Sequence, residues 1–353
     1  MSVDRGIKAP SFNSIKTSLY KEINKNLPKD ILNLNEAPEN SLYYKTLDEE
    51  DFVVYKDSRN FILQSPSLAK IQIELGDIYF CDNTFFICPT FAYQVFITRV
   101  YSDTTKSYYT TSFAIISGKS INDYKKIFSE LHNNIKKYVN IGESYELHTD
   151  FEITIGLGCK KVYPNIIVKN CIWHMLRTIE LKKNTLCLED IMNNDTLLSL
   201  YNIMCNLYLC DQNYVNLVFD IIKNKTDNEK FIAFLDYFEE QQYKIKCSPI
   251  NWNYYNNTID CTNDSYESYN CKLNRMFNSK PSFFRLLYEL HIEEKDIINT
   301  FKKRKMGLLG HEIRRTTVIE KKLNLLHESI LNINKLPENY FNEKKMLNLG
   351  LKV

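Results

Sequence analysis

Residues 76–89 read GDIYFCDNTFFICP, and the rest of the chain is interpreted outward from this stretch. Ile78 to Cys81 form a short apolar run of β-prone residues without helical spacing, which predicts a buried strand. Asp82 follows at the end of that run, where a buried carboxylate needs a group that neutralises or solvates it. Asn83 comes next, and asparagine tolerates the left-handed conformation of a turn. An aspartate that only closes a strand is the simpler interpretation, so the choice depends on acids elsewhere in the chain.

The composition is that of an ordinary globular protein. The chain has 353 residues, of which 44% are hydrophobic and 25% charged, and its net charge is +2. No run approaches the roughly 18 apolar residues of a membrane span, and the start lacks the basic and apolar regions of a secretory signal. The 10 cysteines are scattered without a CxxC pair, which is typical of reduced thiols in the cytosol or nucleus. A nucleic-acid partner would need a local basic surface.

The remaining segments predict a definite order of strands and helices. Residues 52–55 and 61–63 predict a hairpin, and 65–75 a short helix capped by Ser65 or Ser67 and ended by Gly76. Three strands are predicted at 78–81, 93–100 and 107–116, and the first extends to 87 if 85–87 join it. The short links between these strands favour an antiparallel meander. The chain then alternates between helix and strand: a helix at 120–139, a strand at 145–148, a helix at 151–158, a strand at 165–170 and a helix at 171–181. This order predicts an α/β protein with an RNase H-like fold, a mixed five-stranded sheet flanked by helices, in which the first and fourth strands are adjacent.

The chain beyond these elements changes character. Apolar residues recur at helical spacing through 185–245, which predicts an all-α insertion before the third acidic residue. The predicted organisation is a polar, mixed region at 1–75, the first part of the catalytic core at 76–184, the insertion at 185–255, a core helix with the third acid at 256–295, and a basic helical region at 296–353.

Three acids in separate regions, Asp82, Asp150 and Glu267, fit one metal site. Carboxylate oxygens are hard ligands suited to Mg²⁺ or Mn²⁺, and two such ions can activate a nucleophile and stabilise a leaving oxygen in phosphoryl transfer. Each acid also has a simpler interpretation, since Asp150 could cap a helix and Glu267 could lie on a solvated face. Glu146 and Glu152 are lower-ranked alternative ligands.

Three segments resemble one family. They are CDNTFFICPTFAYQVFITRVY (81–101), ELHTDFEITIGLGCKKVYPNIIVKNCIWHMLRTIELK (146–182) and CTNDSYESYNCKLNRMF (261–277). Together they resemble the transposase domain of Mutator-like elements, a DDE family of the RNase H-like superfamily. That family has Asp-Gly-Thr-Phe at the first acid, Thr-Asp-Phe-Glu at the second, then Cys-x-x-His, and a Thr-Asn-Asn-x-x-Glu-like motif at the third. The resemblance covers roughly residues 47–291.

The resemblance implies an enzyme that cuts DNA at element ends and transfers the strand to target DNA, with water and then a freed 3′-hydroxyl as nucleophiles. It implies Asp82, Asp150 and Glu267 as catalytic metal ligands, two Mg²⁺ or Mn²⁺ ions, DNA as partner, a homo-oligomer, and action in the nucleus. This chain departs from the pattern where Asn83 replaces glycine, Asp264 replaces the second asparagine, and Asn270 stands where the family often has histidine.

Cys171 and His174 match the Cys-x-x-His of the family and would share one helix face. They supply only two of the four ligands of a structural zinc site. A packed cysteine with a hydrogen-bonded histidine is the simpler interpretation, and a contact of the pair with DNA or with the acids is the alternative.

A basic stretch near the end of the chain is the strongest candidate for contact with phosphates. Its candidate DNA-binding residues are Lys302, Lys303, Arg304, Lys305, Arg314 and Arg315. An ordinary solvated helix face is the competing interpretation. A second patch is predicted at Lys160, Lys161, Lys169, Arg177, Lys182 and Lys183.

Two other functions stay open at this point. A domesticated or decayed transposase would bind DNA without cutting it. A structural or interaction protein that uses the helical insertion would show no salt-dependent DNA binding at all.

Overall fold

The structure, a computed structural model, describes residues 22–76, 78–139, 146–188, 193–210, 212–213, 215–240, 249–254, 264–277 and 279–310. Its strands are β1 (Val53–Lys56), β2 (Asn60–Leu63), β3 (Ile78–Thr84), β4 (Gln94–Ser102), β5 (Ser107–Ile116), β6 (Glu146–Thr149) and β7 (Ile167–Asn170). Its helices are α1 (Pro66–Leu75), α2 (Ile121–Lys136), α3 (Ile153–Lys160), α4 (Ile172–Thr185), α5 (Asp195–Cys205), α6 (Val215–Asn224), α7 (Glu229–Phe238), α8 (Pro249–Trp252), α9 (Asp264–Met276) and α10 (Phe283–Lys305). In this described part of the chain, no helix has the length and apolar character needed to cross a membrane.

The described strands form one mixed sheet in the order β1-β2-β5-β4-β3-β6-β7. β3, β4 and β5 make the predicted antiparallel meander, and β6 and β7 continue the sheet in parallel from β3. The predicted hairpin of β1 and β2 is present, and β2 pairs with β5. The sheet therefore has seven strands instead of the predicted five, because the hairpin completes the edge of β5 that a five-stranded sheet would leave open.

The helix starts follow capping chemistry. Ser65 caps α1, and the helix ends at Gly76 as predicted. Ser120 and Asp123 form a reciprocal capping box at the start of α2. Arg59, from the turn between β1 and β2, donates two hydrogen bonds to the Asp123 carboxylate, at 2.7 and 2.8 Å. The Arg59 guanidinium lowers the pKa of Asp123 to about 2, so this buried aspartate is ionised and paired.

Side-chain alternation assigns the two faces of the sheet to different helices. Phe96 of β4 contacts the ring of Tyr124, which places α2 on the face that Phe96 occupies. Phe96 is aligned across β5 with Ile62, so the neighbouring Phe61 points to the other face. Phe61 packs on Phe283 at the start of α10. α2 and α10 therefore cover opposite faces of the sheet.

A second group of helices encloses its own apolar cluster. Helices α5 to α8 confirm the helical character predicted for this part of the chain, as far as it is described; residues 189–192, 211, 214 and 241–248 lie outside the described set. The cluster also takes in α4. Its members include Met175, Ile179, Leu200, Met204, Phe219, Ile222, Phe231, Phe234, Phe238 and Trp252. The Tyr254 hydroxyl donates to the carbonyl of Asn170 at 3.1 Å, which ties this group to the end of β7.

Candidate active site

Asp82 lies inside β3, not after it. Asp82 and Asn83 are paired with Ile97 and Phe96 of β4, and the strand continues to Thr84. The predicted turn at Asn83 is therefore wrong, because the antiparallel ladder with β4 holds both residues in extended backbone. The alternative in which the strand extends through 85–87 is also wrong, since β3 ends at Thr84.

Asp150 directly follows β6, and the strand register aligns it with Asp82. β3 and β6 are parallel, with Phe80 opposite His148. Two residues beyond this last pair, the same register directs Asp82 and Asp150 to the same edge of the sheet. The structure therefore brings the first two predicted acids together at the carboxyl ends of two adjacent strands.

The two carboxylates share a buried neighbour, Cys81. Burial raises the pKa of the Cys81 thiol, and the nearby Cys159, Asp150 and Asp82 raise it further. Because an electrostatic effect of this kind needs proximity, both acids lie close to one thiol. The thiol itself is neutral and packs in the core.

Asp150 is held by neutral donors. Its Oδ1 accepts hydrogen bonds from the Thr149 hydroxyl at 3.4 Å and from the backbone N–H of Glu152 at 3.1 Å. Burial raises the pKa of Asp150, and these two hydrogen bonds only partly oppose the rise. Among the described residues, no cationic side chain forms an ion pair with Asp150. A carboxylate in this setting is one that a bound cation would stabilise.

Helix α9 carries the position of the third predicted acid. The side chain of Glu267 is not among those described, but Asn270 lies one turn later on the same helix face. Asn270 Nδ2 donates to Oδ2 of Asp82 at 3.4 Å, while the N–H of Asn83 donates to Oδ1 at 2.8 Å. Among the described side chains, no three His, Cys, Asp or Glu residues converge on a metal-sized site. The described contact between α9 and Asp82 is made by Asn270.

The packing of α9 is fixed by charged and aromatic groups. Tyr269 lies under the guanidinium of Arg99, with 4.6 Å between the guanidinium carbon and the ring centroid. Lys272 Nζ pairs with Glu293 at 2.8 Å and with Asp296 at 3.0 Å, both on α10. These contacts hold α9 between the sheet and α10.

Glu152, one of the two alternative ligands, lies beside Asp150 and is engaged by the protein. Its Oε1 accepts from the Tyr124 hydroxyl at 2.8 Å and from the Thr154 hydroxyl at 3.0 Å. Its Oε2 accepts from Asn83 Nδ2 at 3.5 Å. Glu152 therefore links the end of β3 to the start of α3.

Glu146, the other alternative, stands at the opposite end of β6 from Asp150. Its Oε1 lies 2.6 Å from His148 Nε2. Burial works against ionisation of this carboxyl, but His148 and Lys169 outweigh it and lower the pKa of Glu146. The structure does not bring Glu146 to the aligned acids.

Cys171 and His174 fall at the start of α4. Cys171 is the N-cap, is buried, and its N–H donates to the Thr149 carbonyl at 2.8 Å. His174 lines an open cleft of about 610 Å³ together with Asp150. Cys171 is thus packed behind the strand ends, and His174 faces the same space as one of the acids.

The basic end of α10 points away from the acids. Phe301 packs edge to face on Tyr109, which is aligned across β4 with Tyr79 near the start of β3. Asp82 lies further along β3. Lys305 pairs instead with Glu74 at the end of α1, just before β3 begins, at 2.6 Å. The exposed Lys302 and Lys303 and the half-buried Arg304 share this end of the helix, whereas Arg314 and Arg315 lie outside the described residues.

Most residues of the second predicted basic patch also lie away from the cleft beside Asp150. Lys169 Nζ donates to the backbone carbonyls of Ile250 and Asn253, at 2.9 and 3.0 Å, so it ties β7 to α8. Lys183 pairs with Glu180 at 2.6 Å. Only Arg177 of this patch lines the cleft beside Asp150.

Lys119 precedes α2 and lines the same cleft, and no sequence pattern predicted a role for it. Asn270 was predicted only as a departure from the family motif, not as a partner of Asp82. Neither role has a recognisable signal in the sequence, because each residue lies near the acids only through the packing of elements that are distant in the chain. No protein-family model matches the chain, and a search of curated proteins found no match.

Proposed function

We propose that the chain has an RNase H-like core and acts on DNA as a DDE transposase. The succession β5-β4-β3-β6-β7, antiparallel up to β3 and parallel beyond it, supports that fold, with β1 and β2 added at one edge. The observation that carries the proposal is the alignment of Asp82 with Asp150 at adjacent strand ends. In open α/β sheets, ligands bind outside the carboxyl ends of strands.

Asp82, Asp150 and Glu267 would hold two Mg²⁺ or Mn²⁺ ions. The fit is supported by the chemistry of carboxylate oxygens and by the raised pKa of Asp150 among neutral donors. Ions of this kind, when bound, activate the attacking oxygen and stabilise the leaving oxygen of a phosphodiester.

The other residues position the acids and the substrate. Asn270 orients Asp82, and the hydrogen bonds of Thr149 and Glu152 orient Asp150. Lys119 lines the cleft beside Asp150, where its charge attracts the phosphates of a DNA strand.

The resemblance of the three motifs to Mutator-like transposases supports DNA as the substrate. On this proposal the enzyme cleaves the ends of an element with water and then joins the freed 3′-hydroxyl to target DNA. Nuclear action and a homo-oligomer belong to the same proposal.

A cleavage assay on duplex DNA with Mg²⁺ or Mn²⁺ tests it. Asp82→Asn, Asp150→Asn and Glu267→Gln should each lower the rate at least about a hundredfold, since even residues that only support metal ligands cost 10- to 100-fold. The matched control is Asp103→Asn, because the Asp103 side chain is 88% exposed in the turn between β4 and β5.

Three outcomes discriminate between the functions. Full cleavage by the three variants would contradict the proposal. Salt-dependent DNA binding by the wild type without any cleavage would favour the decayed transposase. Absence of both would favour an interaction protein.

A further inference from the structure

Two aromatic side chains stand exposed between the end of β3 and the start of β4, and the proposed chemistry gives them no role. Phe85 follows β3 directly, three residues after Asp82, and is 56% exposed; Tyr93 precedes β4 and is 42% exposed. Their rings meet edge to face, with centroids 5.8 Å apart. Leaving two large aromatic rings in water forgoes the gain of burying them. Such a pair next to a candidate active site is typical of a ligand-contacting surface.

A cation completes this surface. Lys119 Nζ lies 5.6 Å from the centroid of the Tyr93 ring. The nearby Tyr93 side chain raises the pKa of Lys119, and Glu152 adds to the rise. Lys119 also lines the cleft that contains Asp150. Lys119 therefore borders both the Tyr93 ring and the cleft that contains Asp150.

We propose that Phe85, Tyr93 and Lys119 form a platform that holds one unpaired nucleotide of a DNA strand. The base stacks on an exposed ring, and its phosphate lies against Lys119, with the strand continuing toward Asp150. The inference rests on the proposed function and names the form of DNA that the site takes.

The chemistry of the surface favours this occupant. Base stacking on aromatic rings and phosphate contact with a nearby cation are the two components of single-strand recognition. Bases inside a duplex are already stacked on their neighbours, so only an unpaired or extruded nucleotide presents its flat face to these rings.

Binding measured without divalent metal tests the platform separately from cleavage. Fluorescence anisotropy with a labelled single-stranded oligonucleotide should show about tenfold weaker binding for Phe85→Leu and for Tyr93→Leu. Leucine keeps the apolar character of each site and removes the flat ring. Lys119→Gln should lower the slope of log affinity against log salt by about 0.7, the contribution of one phosphate contact on a single strand. Affinity for a blunt duplex should change less than about twofold in the two leucine variants, because stacking needs an unpaired base.

The matched control is Tyr138→Leu. Tyr138 is 41% exposed, close to the value for Tyr93, but it follows the far end of α2 from Lys119. Equal weakening in this control, equal weakening for duplex, or unchanged single-strand affinity in folded Phe85→Leu and Tyr93→Leu proteins would each overturn the inference. Asp150→Asn should still bind the single strand, so loss of cleavage and loss of the platform are distinguishable.

Discussion

Asp123 lies in the first turn of α2 and Asp150 lies just before α3, and the two carboxylates have opposite electrostatic surroundings. Asp123 receives two hydrogen bonds from the Arg59 guanidinium, and its pKa falls to about 2. Asp150 receives only neutral hydrogen bonds among the described residues, and burial raises its pKa. Within the described part of the chain, a guanidinium neutralises Asp123, whereas no cationic side chain pairs with Asp150.

This difference separates a structural acid from a candidate ligand. An aspartate that is paired within the protein contributes to stability, and its loss leaves a guanidinium without its partner. An aspartate held ionised at a strand end without a cation costs stability at neutral pH, and chains retain such groups at functional sites. The predictions below test whether the two aspartates differ in this way.

The largest effect is expected where α3, which follows Asp150, packs closely on α2, which contains Asp123. A Cβ added at Gly158 would lie 2.6 Å from the Cβ of Tyr124 and 2.9 Å from the backbone N of Lys125. Gly158→Ala should therefore lower the free energy of unfolding by about 3 kcal/mol, measured by urea titration. Gly156→Ala is the control, because its nearest contact is the Val168 side chain at 3.0 Å. An equal cost at both glycines would contradict the close packing at Gly158.

The second prediction compares the aspartates directly. Asp123→Asn should destabilise the protein by about 2 kcal/mol through the lost ion pair and the weakened capping box, a value that allows for solvent screening at the half-exposed Arg59. Asp150→Asn should leave the unfolding free energy unchanged or slightly higher. Urea titrations at neutral pH measure both. Similar destabilisation by the two substitutions would contradict the proposal that Asp123 is structural and Asp150 is a candidate metal ligand.

The third prediction concerns how the free energy of unfolding changes as the pH falls. The depressed pKa of Asp123 contributes stability above the unfolded pKa of about 3.9, and this is lost as pH falls through the folded value. The raised pKa of Asp150 has the opposite sign, because its ionised form costs stability at neutral pH and the cost fades as the group protonates. The stability gap between wild type and Asp123→Asn should therefore narrow from about pH 5 downward. A gap that stays constant in acid would mean that Asp123 and Arg59 are not coupled in solution.

The smallest expected effect is a thermal shift with metal. Mn²⁺ should raise the melting temperature of the wild type by a few degrees, since a ligand that binds only the folded state stabilises it. The rise should persist in Asp123→Asn and vanish in Asp150→Asn. The same rise in all three proteins would place the metal elsewhere.

Local features were predictable from the sequence, and long-range pairings were not. The cap at Ser65, the stop at Gly76 and the strands of the meander depend on residues near each other in the chain, so the pattern indicates them. Asp82 was expected at a turn because the apolar run stops there, but pairing with β4 decides where the strand ends. The docking of the hairpin on β5 is likewise a tertiary contact.

The site shows the same limit. The motifs indicated Asp82 and Asp150, and the strand register aligns them. A run of basic residues in the sequence, however, does not show where that run lies in the fold. Lys302 to Lys305 formed the most basic candidate run, yet α10 carries them toward the end of the sheet where β3 begins, away from the acids. The isolated Lys119, with no charge pattern around it, lies in the cleft with Asp150.

The parallel pairing of β3 with β6 also bears on the order in which the chain folds. β4, β5 and α2 lie between the two strands in the sequence, so their pairing closes a long loop. Pairs that are distant in sequence form more slowly than the hairpin-like links of the meander. We therefore expect the two acids to meet late, when most of the sheet already exists. A newly made or half-folded chain then carries no assembled pair of acids, which confines any strand scission to molecules that have completed the fold.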